Sequence, residues 1–280
     1  MDLGAFILAA QFPGQGHTEV LDRAVATALA TERAGLDDVW LAEHHFVPYG
    51  TCPSAVTLAA YLLGRTERVK VGTAVSVLPN AHPVALGEQA ALLHLTSNGR
   101  FRLGVGRGGP WVDLEVFGGG LEAFESGFPE SLDLLLRWLS EPSVGTAGPR
   151  YSFREVTVVP RAAGDGGSAG GGPSGDGPAD GPEVLVACTS PGSVGLAARR
   201  GLPMILGMHC DDQEKARLVA HYRRTALAAG RDPAEVDAVG HVSAGLAQVA
   251  DTDRDATDLL LKCLPEMFRH GLAAHVTVDG

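Results

Sequence analysis

The chain predicts an α/β fold built on a parallel sheet and of the barrel type. Three features carry that expectation. Short apolar runs alternate with helical patterns along the chain, as consecutive βαβ units require. Gly35, Gly64 and Gly201 stand just after helical segments, where a left-handed residue ends a helix at little steric cost. In Trp40-Leu41-Ala42-Glu43-His44-His45-Phe46 an apolar strand runs straight into titratable groups, at the strand end where a barrel enzyme keeps its chemistry. With 280 residues, 45% of them hydrophobic, the chain is long enough for one large core, so a single domain over 1–280 is expected.

The elements follow in order. The first strand, Leu3–Leu8, leads into a helix over Glu19–Ala34 that stops at Gly35. Val39–Ala42 is the second strand, broken off by Pro48, Tyr49 and Gly50, and Ser54–Leu63 is its helix. Val69–Val77 and Val84–Leu95 form the third unit, Phe101–Val105 and Glu122–Leu139 the fourth. Tyr151–Val159 reads as a small extra hairpin. Ala162–Pro182 is almost entirely Gly, Ala, Ser, Asp and Pro, too poor in apolar surface to offset its ordering entropy, and reads as a flexible insertion within the domain. The alternation then resumes with strand Val184–Ala187 and helix Ser193–Arg200, strand Met204–Leu206 and helix Asp212–Ala229, strand Val242–Val249 and helix Asp253–Phe268. Right-handed crossovers close or extend such a sheet.

Composition excludes several classes. The net charge is −11 and no basic run occurs, which argues against a nucleic-acid partner and for a small ligand. No basic n-region opens the chain, and no apolar run approaches the ~20 residues a membrane span needs, so a cytoplasmic protein is expected. Cys52, Cys188, Cys210 and Cys263 lie far apart without a Cys-x-x-Cys, which argues against a zinc site and a disulfide framework.

Glu43, His44 and His45 invite a metal reading, but neighbours on a strand point to opposite faces, so the two imidazoles are not placed to chelate one ion and no metal is expected. His44, at the strand end with a near-neutral pKa, is the candidate general acid/base; His45 packs or hydrogen-bonds locally. Gly104-Val105-Gly106-Arg107-Gly108-Gly109 matches the dinucleotide fingerprint, yet Pro110, Trp111 and Gly118-Gly119-Gly120 prolong the loop where a helix should open, and the motif follows the fourth strand rather than the first. Two readings stay open there. Either the glycines let backbone N–H groups approach an anion while Arg107 supplies a planar fork for phosphate, or Arg107 is a surface residue in a glycine turn. Thr189, Ser190 and Ser193 stand at the start of the next helix, where hydroxyls cap the helix, bind phosphate, or do both. Arg107 and these hydroxyls end neighbouring strands, which favours a phosphorylated cofactor.

Taken together, these segments resemble the luciferase-like flavin monooxygenases, with a close match to the alkanal monooxygenase α-type chains. The resemblance rests on Val39–Phe46, Val71–Val75 leading to Leu78-Pro79, Ala81-His82-Pro83, Gly99–Arg102, Arg107-Gly108 and Arg200–Leu206, and covers nearly the whole chain. It implies a (β/α)₈ barrel that receives reduced FMN from a separate reductase, forms a flavin C4a-hydroperoxide with O₂, and inserts one oxygen into a small organic substrate. It implies that His44 and Asp113 are catalytic, and that Ala74 and Val75, joined by a cis peptide, underlie the flavin with Gly106, Gly108 and Met208 nearby. It implies a phosphate site of Arg107, Ser190 and Ser193, with Thr189 beside it. His82 and Glu88 match residues at a dimer face, so a homodimer is implied.

The departures are specific. Gly106 stands where luciferase α chains carry a reactive cysteine, Cys188-Thr189 where they carry an acid, and Met208 where an aromatic residue flanks the flavin; light emission is not expected. The last βα unit is missing, so seven strands leave the barrel unclosed. The Thr277 region, another subunit, or chain beyond this sequence would fill the gap. Two alternatives have the same fold: a deazaflavin F420-dependent oxidoreductase, and a non-catalytic flavin-binding or accessory subunit. The oxygen acceptor and the reductase are not written in the sequence, because substrate contacts come from variable βα loops.

Overall fold

The structure is a computed structural model that describes residues 1–162 and 181–271. All but the edges of the insertion expected over 162–182 lies outside the described residues, as does the Thr277 region.

One curled parallel sheet organises the molecule. Its path runs through β1 (Gly4–Ile7), β2 (Asp38–Leu41), β3 (Lys70–Thr73), β5 (Phe101–Gly106), β8 (Glu183–Ala187), β9 (Met204–Leu206) and β10 (Val242–Ser243), with β4 (Ser76–Val77) paired to β5. Every pairing in it is parallel. Among the described residues β1 and β10 are not paired with each other, so the wall is open between them. A separate antiparallel pair joins β6 (Ser143–Ala147) and β7 (Ser152–Thr157), so Tyr151–Val159, expected to be a hairpin in itself, supplies only its second strand.

Several expectations need correction. The run Val69–Val77 is two strands: the Ala74–Val75 peptide is cis, as the resemblance implies, and it separates β3, which pairs with β2 and β5, from β4, which pairs with β5 alone. The last strand covers Val242–Ser243 rather than Val242–Val249. Its partner β9 ends at Leu206, the Ala244 N–H to the Leu206 carbonyl is the last rung, and Val249 is 86% exposed. Gly64 caps its helix with φ −74°, whereas Gly35 and Gly201 have φ +83° and +69° as expected.

The helices are α1 (His17–Arg33), α2 (Ala55–Leu63), α3 (Pro83–Thr96), the one-turn α4 (Asp113–Val116) and α5 (Gly120–Glu122), α6 (Phe128–Ser140), α7 (Pro191–Arg200), α8 (Asp212–Ala228), α9 (Pro233–Ala238) and α10 (Asp253–Gly271). The helix expected over Glu122–Leu139 instead starts with a π turn at Ala123–Gly127. Pro129, without an N–H to donate, fixes the start of the regular α6. No helix among the described residues is long and apolar enough to cross a membrane.

Strand alternation builds two surfaces. Val39, Leu41, Val71, Leu103, Val105, Val184, Val186, Met204 and Leu206 point outward into the main core beneath the helices. A fully buried Leu or Val there contributes roughly 1.5–3 kcal/mol. The inward residues fall into three layers. Asp38, Arg102 and Glu183 form a charged layer at the N-terminal ends of the strands, where Arg102 donates to Asp38 Oδ1 at 3.3 Å and to Glu183 Oε2 at 2.6 Å. Above it Phe6, Trp40, Leu185, Ile205 and Val242 form an apolar cluster. The layer nearest the C-terminal ends is small: Ala42, Ala74, Ala187, Gly207 and Ala244 all line a cavity of about 800 Å³. An ordinary barrel fills its axis with layers of bulky side chains. Here alanine and glycine at the upper layer leave the axis open.

Candidate functional site

The cavity extends from the charged layer to the strand C-terminal ends, where His44, Tyr49, Ala74, Val75, Gly108, Trp111, Thr189 and Met208 line it. The sheet brings these residues together because β2, β3, β5 and β8 are consecutive neighbours in it.

His44 follows β2 on the inward side. Its backbone N–H donates to the Cys52 carbonyl at 3.0 Å, and its ring meets Tyr49 edge-on at 5.0 Å and lies roughly parallel to Trp111 at 6.4 Å. Gly50 is required here, since a Cβ at that position would overlap the imidazole. Burial, aided by the adjacent His45, lowers the His44 pKa to about 4, against the opposing pull of Glu43 and Asp113. The ring is therefore neutral at pH 7. Its Nδ1 is buried and has no protein partner. That nitrogen packs against Gly50, so it is the rest of the ring that His44 presents to the cavity.

His45 points the other way, as strand alternation requires. Its ring packs edge-on against Phe117 at 4.9 Å, beside Phe46, and its Nε2 is 3.7 Å from Glu43 Oε1.

Glu43 is a residue the sequence argument left without a role. One carboxylate oxygen accepts the Val77 N–H at 3.0 Å and the other the Ala55 N–H at 3.0 Å. It thereby satisfies an otherwise free donor at the start of α2 and holds β4, the segment that follows the Ala74–Val75 peptide. A carboxylate at a strand end, twelve residues before a helix N-terminus, was the available signal, but its partners are defined only by tertiary contact.

Asp113 opens α4, is 3% exposed, and does not line the cavity. Its Oδ2 accepts from Asn80 Nδ2 at 2.7 Å and its Oδ1 from the Leu114 N–H at 3.1 Å. It acts on His44 through its charge, without contact.

The expected phosphate residues gather at the ends of β5 and β8, which pair directly. Arg107 is exposed, with its guanidinium 4.1 Å above the Phe124 ring. Gly108, at φ +71°, approaches Val77 so closely that an added Cβ would stand 2.8 Å from it. Gly106 is similarly crowded, with Val75 2.5 Å from an added Cβ, so a cysteine there would displace Val75. Ser190 and Ser193 form a capping box at the start of α7, and Ser193 Oγ accepts the Thr189 and Ser190 N–H groups at 3.3 and 3.2 Å. The capping reading of these serines is thus observed. Thr189 and Met208 line the cavity; Arg107, Gly106, Ser190 and Ser193 lie beside it.

The residues fit a flavin mononucleotide. The upper cavity is lined by small side chains and by the His44 imidazole, and an arginine and a helix start flank its edge where a phosphate would sit.

Comparison with known proteins gives a consistent picture. The model of the family described as luciferase-like monooxygenase matches residues 1–277. The alkanal monooxygenase alpha chain of Photorhabdus luminescens is 34% identical over 237 residues, which is 85% of this chain and 62% of that one. The chain therefore spans less than two thirds of that relative's length. Among solved structures, monooxygenase RslO1 from Streptomyces bottropensis superposes with a TM-score of 0.83 at 23% identity, covering 98% of this chain and 79% of that one. The oxygenating constituent of 3,6-diketocamphane monooxygenase from the CAM plasmid of Pseudomonas putida, a type II Baeyer–Villiger enzyme in complex with FMN, gives a TM-score of 0.74 at 22% identity, covering 97% and 76%. These two likenesses establish the luciferase-like barrel fold.

Proposed function

This chain belongs to the luciferase-like monooxygenase family, and from that premise we propose that it is the oxygenating component of a two-component flavin monooxygenase. It takes reduced FMN from a separate reductase and transfers one atom of O₂ to a small organic acceptor, the other leaving as water. The observation that carries this reading is His44, neutral at pH 7 and lining the same cavity as the Ala74–Val75 peptide.

Reduced FMN, when bound, supplies the electrons that activate oxygen. The protein's tasks are positioning, proton handling and exclusion of water. Arg107, Thr189 and the start of α7 hold the phosphate, by a charge-assisted fork and by backbone N–H groups. Ala74, Val75, Gly106, Gly108 and Met208 shape the ring's seat, and the glycines let the backbone come close. His44, held neutral by burial, accepts or returns a proton at Nε2, the ring nitrogen not sealed against Gly50, and Asp113 stabilises the protonated ring through its charge. Exposed Tyr61, Leu92 and Leu95 on α2 and α3 support a homodimer through that face. His82, whose Nδ1 accepts the Val84 N–H at 3.2 Å, serves this chain's own helix start as well.

The test is an anaerobic titration with reduced FMN, run in parallel with reduced F420, followed by admission of oxygen while absorption is recorded. Tight binding of FMN and oxygen-dependent conversion of an acceptor support the proposal, and His44→Ala should abolish conversion while sparing FMN binding. Selective F420 binding would replace it with hydride transfer, and FMN binding with reoxidation alone would indicate an accessory subunit.

A further inference from the structure

Arg107 is the cation that the flavin reading gives to the phosphate, and it stands one residue beyond β5 in an exposed stretch. A long side chain there has many rotamers, and a ligand that fixes it must offset the entropy lost. Among the described residues the guanidinium has no hydrogen-bond acceptor and no carboxylate partner, although Glu122 and Glu125 flank in sequence the ring it meets. It lies instead over Phe124, with its central carbon 4.1 Å from the ring centroid. The chain brings that ring back to the end of β5 through a turn in which Gly118 and Gly120 have φ +74° and +62°. Phe124 then falls within the π turn Ala123–Gly127, which is anchored at both ends. Ala123 is buried, and Gly127 packs so closely on Arg150 that an added Cβ would stand 2.7 Å from its Nε. The half-buried ring is thus placed by its own segment.

From this arrangement we infer that Phe124 is a positioning residue for the phosphate contact: its ring holds Arg107 by the face of the guanidinium and leaves the N–H groups at the edge free for phosphate oxygens. The inference rests on the flavin reading for the identity of the ligand, whereas the pairing of the two side chains stands on the structure alone. A ring attracts a cation to its face without accepting the N–H donors that bidentate recognition uses. A carboxylate would do the opposite, since it would occupy the fork and have to be displaced by an incoming phosphate. Phe124 therefore limits the rotamers of Arg107 and consumes none of its donors, so less freedom remains to be lost on binding.

The test titrates the protein, without oxygen, with reduced FMN and with reduced riboflavin, which differ only in the phosphate. Phe124→Leu, close in volume but without a π face, should raise the Kd for FMN about two- to fivefold, the fold-change of an exposed cation–π contact, and leave riboflavin unchanged. Phe124→Tyr, which keeps the ring, should restore the unaltered value. In an Arg107→Ala background Phe124→Leu should have no further effect, because the two side chains act as one unit. An FMN Kd that Phe124→Leu leaves unmoved or lowers, or an equal loss for riboflavin, overturns the inference; a lowered value would mean that the ring parks Arg107 away from the ligand. Should Phe124→Leu fail to fold, the ring-current shift of the Arg107 Cδ protons decides in the unaltered protein. It should be upfield and persist when inorganic phosphate is added, and its absence in either state overturns the inference. If neither flavin binds the unaltered protein the flavin reading falls, and the same variants are titrated with inorganic phosphate, where Phe124→Leu must weaken binding for the role of Phe124 to stand.

Discussion

Acidification isolates His44. Burial lowers its pKa from the ordinary 6.5 to about 4. Above pH 6.5 the imidazole is neutral in both folded and unfolded chains, and its burial carries no protonation penalty. Between pH 6.5 and 4 the unfolded chain takes up a proton that the folded one refuses, so stability falls; below 4 both are protonated and the loss stops growing. A gap of roughly 2.5 pH units at about 1.36 kcal/mol each gives ~3 kcal/mol, a large share of a typical net stability. The assay is urea unfolding at pH 7.5 and at pH 4, on the unaltered protein and on His44→Gln. Other titrating groups are common to both proteins and cancel in the comparison. The unaltered protein should lose about 3 kcal/mol more than the variant over this interval. Equal losses within about 1 kcal/mol, or an NMR titration placing the His44 pKa above 6, would refute the argument that this ring is buried and neutral.

Three further outcomes are expected. Glu43→Ala leaves the Val77 and Ala55 N–H groups without acceptors and should cost roughly 3–5 kcal/mol in denaturant unfolding, with Glu43→Gln recovering part of it; a loss under about 1 kcal/mol would show that water replaces the carboxylate. Arg107→Ala removes a charge-assisted phosphate contact and should raise the Kd for reduced FMN by roughly 10–100-fold while leaving riboflavin, which lacks the phosphate, unaffected. Gly106→Cys forces Val75 aside and should destabilise the fold by roughly 1–3 kcal/mol in thermal unfolding, so an unchanged midpoint would mean that Val75 yields freely.

Much of the architecture was legible because it follows from local pattern. The seven main strands and seven helices lie where apolar period and glycine punctuation put them, since a strand buried on both faces must be a continuous apolar run. Two misses had readable signals. Asp232-Pro233 is a cap followed by a first-turn proline, and α9 begins there with the Asp232 carboxylate accepting from Ala234 and Glu235. Pro129 likewise announced the irregular start of α6. The last strand was overread because its length is set by its partner: β9 offers only three residues, and after the Ala244 rung residues 245–249 have no ladder to join.

The sequence alone determined the element order, the parallel sheet, the family, and the position of His44 at a strand end, because each depends on near neighbours in the chain or on a pattern shared with relatives. Tertiary structure decided what those residues experience. It makes Glu43 a link between α2 and β4, and buries Asp113 behind the cavity rather than in its wall. It also stacks alanines and glycines from separate strands into one layer, so that the barrel axis is open above Trp40. None of these is visible along the chain, since burial, dielectric and free volume depend on which distant segments the sheet brings side by side.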